Sequence, residues 1–202
     1  LEFARRLRAE EGYNGWIYFI DEENWITVQT VRAITNFCVH GNAKLASGPL
    51  VFRNGGSYLG WLGDSVRSSE GRISCLQHSI GYWSIHGDNL LADNSVEQDV
   101  GWEFPQLTED VQFAGHALDK GYRTGWHGGE LQTVSPTSLT DFIKQRRRWF
   151  RGILQCVFSS NISARYRLLQ GYIFLTGLVG TTVLFGVTVD LFFNITPFAR
   201  AW

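Results

Sequence analysis

Two spacings of apolar residues run through this 202-residue chain and change places several times. Leu1-Glu2-Phe3-Ala4-Arg5-Arg6-Leu7 has the three- and four-residue period of an amphipathic helix, which stops near Gly12. Trp16 to Ile20 is an unbroken apolar run of strand length closed by Asp21-Glu22-Glu23, which predicts a fully buried central strand. Thr27 to Val39 reads as a helix, Lys44 to Phe52 as a strand, and Gly55-Gly56 as a turn into a helix from Tyr58 to Glu70. The order α, β, α, β, α favours an α/β sheet covered by helices, in which ligands gather at the carboxyl ends of the strands. Asp21 sits at such an end. Further on, His86-Gly87-Asp88-Asn89 opens a turn before Leu90-Leu91, and Asn94-Ser95 reads as the cap of a short helix leading to Trp102. Val111 to Lys120 reads as another helix, with Thr108 as its cap.

The strongest periodicity begins near Ser138. Leu139, Phe142, Ile143, Arg146, Trp149, Phe150, Ile153, Leu154 and Val157 share one side of a helix, while Asp141, Lys144, Arg147, Arg151 and Gln155 take the other. Ser138 followed by Asp141 fits a capping box, and Pro136 suits a chain not yet helical. Arg146 falls inside the apolar arc, where an unpaired guanidinium is costly, so an anionic partner is expected there. By itself, such a helix also fits a basic amphipathic segment lying on lipid headgroups. Beyond it, Tyr172 to Val189 is uncharged and of about the minimum spanning length, which predicts a transmembrane segment over 168–193. Buried soluble structure is the other reading of that run. Arg165 and Arg167, just before it, favour an integral membrane protein with its preceding domain on the cytoplasmic side.

Composition removes several alternatives. Lys+Arg 18 against Asp+Glu 19, a net charge of -1, argues against a protein that coats nucleic acid. Cys38, Cys75 and Cys156 are scattered, with no Cys-x-x-Cys pair, which disfavours a disulfide framework or a cysteine zinc site. The five histidines also lack metal-ligand spacing. The chain contains no methionine and opens at Leu1 inside a helix, so it reads as a piece of a longer polypeptide.

Two acidic groups each have a bland reading and a chemical one. Asp21 and Glu23, one residue apart at a strand end, could share a hard divalent cation such as magnesium or manganese, or Asp21 could be a simple capping residue. Thr108-Glu109-Asp110 could hold a proton acceptor, or merely complement the positive end of the helix that follows.

Taken together, Asp21-Glu22-Glu23, Thr108-Glu109-Asp110, Gly121-Tyr122-Arg123, Ser135-Pro136 and Asp141-Phe142 leading into Gln145-Arg146-Arg147-Arg148-Trp149 resemble the membrane-bound family-2 inverting glycosyltransferases. That family includes the cellulose and hyaluronan synthases. The phrasing around Gly87 and Gly101-Trp102-Glu103-Phe104 is most similar to the egghead-type β-1,4-mannosyltransferase branch and its bacterial relatives. The resemblance implies the C-terminal part of a nucleotide-sugar-binding GT-A (Rossmann-like) domain over 1–137, an amphipathic interfacial helix over 138–160, and then the transmembrane helix. The strands that hold the nucleotide would precede Leu1. It also implies Asp110 as catalytic base, Asp21 and Glu23 as ligands of Mg2+ or Mn2+, and Gln145 and Arg148 on the donor diphosphate. Arg146 is added to the diphosphate group on the helix wheel alone. Trp149, Glu109 and Gly87 are assigned to the acceptor, although a core tryptophan is the plain reading of any single Trp. The implied reaction moves a hexose, mannose from GDP-mannose or a sugar from a UDP donor, to a glycan or glycolipid with a new β-glycosidic bond. Three rivals stand beside it: a catalytically incomplete fragment, a membrane-binding module without catalysis, and a metal-dependent phosphohydrolase built on the Asp21 cluster.

Overall fold

The computed structural model describes residues 1–64, 87–105, 107–159, 161–172, 174 and 175. Its first half runs α1 (Glu2–Glu10), β1 (Trp16–Phe19), β2 (Trp25–Ile26), α2 (Val28–His40), β3 (Leu45–Ser47), β4 (Leu50–Arg53) and α3 (58–64). The second half follows with β5 (Leu90–Asp93), α4 (Asn94–Val100), α5 (Glu109–Asp119), β6 (Thr124–Trp126), β7 (Leu131–Val134), α6 (Leu139–Val157) and α7 (164–172). The architecture is mixed α/β, as the element order predicts. The remainder of the helix expected from Tyr58 to Glu70, and most of the expected transmembrane segment, lie outside the described residues. Among those residues no helix is long and apolar enough to cross a membrane.

The strands form two sheets, ordered β1-β5-β3-β6 and β2-β7-β4. Among the described residues, three of the five pairings are antiparallel, and only β3 with β6 and β4 with β7 run parallel. Two expectations need correcting. β1 is an edge strand, half-buried along its length and paired only with β5 among the described residues, because an apolar run reports hydrophobicity but not how many neighbours a strand acquires. The single strand expected over Lys44 to Phe52 is two strands in different sheets. Proline has no N–H for a ladder, and Pro49 turns its carbonyl to the Leu131 N–H (3.0 Å) and the Asn89 side chain (2.9 Å), carrying the chain from one sheet to the other. Gly48 makes the crossing possible, since a Cβ there would run into the His127 ring.

The core lies between the four-stranded sheet and the helices that follow it. Leu45, Leu90 and Ala92 meet Val96, Phe113, Ala114 and Ala117, and the Trp102 ring stacks on Phe113 with centroids 4.2 Å apart. α7 joins through Tyr166, which is buried against Gly115 and donates its hydroxyl to the Val111 carbonyl (3.2 Å). α1 buries none of its residues. It is held by charge: Arg8 reaches the fully buried Glu97, which also accepts the Trp102 indole N–H at 2.8 Å.

Helix starts follow their caps. Thr27 and Thr30 form a full capping box at α2, whereas the box expected at α6 has one of its two bonds, Ser138 accepting the Asp141 N–H (3.1 Å). Thr108 departs from expectation. It occupies the N-cap position of α5 without a side-chain cap bond, and its buried hydroxyl finds no partner among the described residues. The reason is α6, where Gly152 packs flat against the Thr108 side chain and leaves no room for a Cβ. Only Gly152 and Cys156 of α6 are buried. The broad apolar arc predicted from the sequence exists, but Leu139, Ile143, Phe150 and Leu154 on it are exposed.

Candidate active site

Chemistry collects where β1 ends, β5 begins and α5 starts. β1 delivers Asp21 just past its last residue, and because Phe19 pairs with Leu90 the turn at Gly87-Asp88-Asn89 stands beside it. Asn89 holds that turn in place. It adopts a left-handed φ of 64°, uncommon for a side-chain-bearing residue, and is fully buried. Its amide accepts the Tyr18 hydroxyl (2.7 Å) and donates to the carbonyls of Pro49 (2.9 Å) and Gly129 (3.1 Å), binding β1, the sheet crossing and the loop after β6 together.

Asp110, in the first turn of α5, lies beneath this turn and accepts the Gly87 N–H at 2.8 Å. Burial raises its carboxyl from 3.8 to about 6, the N–H groups of Val111 and Gly87 pull the other way, and the charges of Glu109 and Asp88 add to the rise. A carboxylate balanced near 6 can take a proton from a hydroxyl at neutral pH. Gly87 lies directly against Asp110, since a Cβ there would stand in ordinary contact, 3.4 Å, with its carboxylate.

Asp21 is likewise raised, first by burial and then by Asp88 and Glu23, with Glu109 adding to the rise and Arg148 opposing it. Its charge therefore links Asp21, Glu23, Asp88 and Glu109 with one arginine of α6. Mutually repelling carboxylates of this kind are relieved by a cation. Among the described residues, no three histidine, cysteine or acidic side chains converge closely enough to hold a metal unaided.

The two candidate arginines of α6 have different surroundings. Arg148 is exposed and acts on Asp21. Arg146 forms an ion pair with the buried Asp64 of α3, which is the anion its position in the apolar arc demanded, and its guanidinium lies 4.3 Å from the centroid of the Trp149 ring. Among the described residues, the buried Gln145 Oε1 has no hydrogen-bond partner, nor do the His127 Nε2 and both polar side-chain atoms of Asn24, the residue that closes the turn after Asp21. His127 caps β6 beneath Gly48, where burial lowers it from 6.5 to about 4 and keeps it neutral. Asp88, Asn89 and Asp64 were not singled out from the sequence. The first two sit inside a segment whose visible signal is only a turn, and Asp64 belongs to no motif.

The family model described as "Glycosyl transferase family group 2" matches residues 16–202. The chain is 33% identical over 166 residues to the β-1,4-mannosyltransferase egh of Drosophila melanogaster, covering 77% of this chain and 36% of that protein. It is 29% identical over 165 residues to the β-1,4-mannosyltransferase bre-3 of Caenorhabditis elegans, covering 76% and 36%. A probable mixed-linked glucan synthase 7 of Oryza sativa subsp. japonica is 26% identical over 102 residues, covering 49% of this chain and 11% of that protein. The chain thus spans about a third of the length of the mannosyltransferases it matches.

Proposed function

This chain belongs to glycosyl transferase family group 2, and from that premise we propose that the protein containing it transfers mannose from GDP-mannose to a hydroxyl of a glycan or glycolipid, inverting the anomeric carbon to give a β-glycosidic bond. The observation that carries the reading is Asp110, a carboxylate raised to about 6 and held by the Gly87 N–H beside the acidic turn. Displacement at an anomeric carbon requires a base for the acceptor proton and cations for the departing diphosphate. Asp110 is the base. Arg148 and Gln145 bind the diphosphate, and Glu109, Gly87 and Trp149 border the acceptor. The choice of mannose over another sugar from a UDP donor rests on the names of the two mannosyltransferases.

Asp21 and Glu23 would hold Mg2+ or Mn2+. Two carboxylates suit an ion that takes its remaining ligands from phosphate oxygens and water, and the raised Asp21 supports a site that lacks a positive charge. When bound, the ion supplies charge neutralisation at the diphosphate.

A lipid bilayer is the third partner. The exposed Leu139, Ile143, Phe150 and Leu154 arc of α6, flanked by Lys144, Arg147 and Arg151, supports a helix lying in the interface on the cytoplasmic side. That surface alone would also suit a membrane-binding module without catalysis. The two readings part in one assay. With GDP-mannose, a divalent ion and a panel of octyl β-D-hexopyranosides, the intact protein should form a β-mannoside, lose activity in excess chelator, and lose about 10²- to 10⁴-fold in kcat as Asp110→Asn while still sedimenting with membranes. An Asp110→Asn protein of normal turnover would remove the base from the mechanism.

A further inference from the structure

The ion pair between α3 and α6 does more than satisfy Arg146. Asp64 is 2% exposed and the Arg146 side chain 18%, so both charges are withdrawn from water. The flat guanidinium is shared between two rings, 4.6 Å from the Phe142 centroid and 4.3 Å from that of Trp149. α3 is itself anchored. The Trp61 indole N–H donates to the Phe52 carbonyl (3.1 Å) at the end of β4, and Gly63 lets Phe142 close in, since a Cβ there would come within 2.7 Å of that ring. A buried ion pair adds little stability over an apolar pair of the same volume, but it fixes direction, because each charge is costly in any other place.

We propose that Asp64 is a positioning residue for acceptor recognition: by holding the Arg146 guanidinium against one face of Trp149, it sets the plane on which the acceptor sugar ring stacks. The proposal rests on the transfer reading above. It divides labour along α6, with Arg148 acting on Asp21 and Arg146 paired with Asp64 of α3. The chemistry favours arginine at position 146 over lysine, since an ammonium can pair with Asp64 but offers no plane to lie along an indole.

The test compares Asp64→Asn, Arg146→Lys and the double variant in the full-length protein, with GDP-mannose as donor and the octyl β-D-hexopyranosides as acceptors. Each single variant should raise the acceptor KM by about tenfold or more, since small misplacements of a positioning group have effects of that order. The donor KM and the slow release of GDP without acceptor should stay within about twofold. The double variant should be no worse than the more affected single one, as for two members of one device. Unchanged acceptor KM, or a rise confined to the donor KM as expected if Arg146 binds the diphosphate, would overturn the assignment. Should Asp64→Asn fail to fold, Arg146→Lys carries the same comparison, because it keeps the charge and loses only the plane. A wild-type protein that neither releases GDP nor makes a mannoside would instead overturn the transfer reading.

Discussion

At the scale of single residues, Asp110 shows how burial and the N–H groups around it decide what a carboxylate can do. Its carboxyl stands at about 6, above the ordinary 3.8, so the proton-accepting form disappears as pH falls through 6. Transfer should therefore drop by about tenfold per pH unit below that point, measured as kcat/KM on the intact protein. A flat profile down to pH 5 would assign the base to another group. Asp21, Asp110 and Arg148 can be proposed from the sequence because short motifs carry their chemistry. Asp64 cannot. Its meaning comes from Arg146, 82 residues away, and the sequence could announce only that Arg146 needed some anion. Asn89 was hidden for a different reason. A turn signal says that the chain reverses, but nothing about which three segments a buried amide will join.

Among the elements, α6 is the one whose spacing the sequence shows best and whose inward face it does not show. Helical spacing is internal to a segment, so its apolar arc could be counted, yet the face turned inward is the narrow seam of Gly152 and Cys156. Gly152→Val should force α6 off Thr108 and cost about 1–3 kcal/mol in denaturant unfolding. Ile143→Ser and Leu139→Ser, on the exposed arc, should change stability by no more than about 0.5 kcal/mol and yet weaken sedimentation with anionic vesicles. Equal destabilisation by all three would mean that the arc packs against protein. The strands were read less well, since pairing partners and sheet changes depend on distant segments. Gly48-Pro49 is visible as a break only after His127 and Leu131 are in place around it.

For the whole molecule, two buried groups set a pH balance. Asp110 is raised on folding, from 3.8 to about 6, so it contributes stability that is present at low pH and lost as pH rises through 6. His127 is lowered, from 6.5 to about 4, so its contribution is present above 6.5 and lost as pH falls toward 4. Each is worth at most about 3 kcal/mol, with opposite sign over nearly the same window. The melting temperature should therefore vary little between pH 6.5 and 4, fall on acidification in Asp110→Asn, and rise on acidification in His127→Gln. Calorimetry on the three proteins checks this, and parallel curves would exclude both groups from the balance. The mixed α/β class was legible from element order, whereas the division into two sheets was not. One feature of the larger sheet bears on how the chain behaves in company. The outer margin of β1 pairs with no strand among the described residues, although Trp16, Ile17, Tyr18 and Phe19 are half-buried along it. Such a margin resembles the growing face of a crystal and takes up whichever strand arrives first. For the chain alone in solution a second copy can supply that strand, and loss of free chain by this route would scale with the square of concentration. A strand tethered in the same polypeptide would act at an effective concentration of about millimolar order and would win the race.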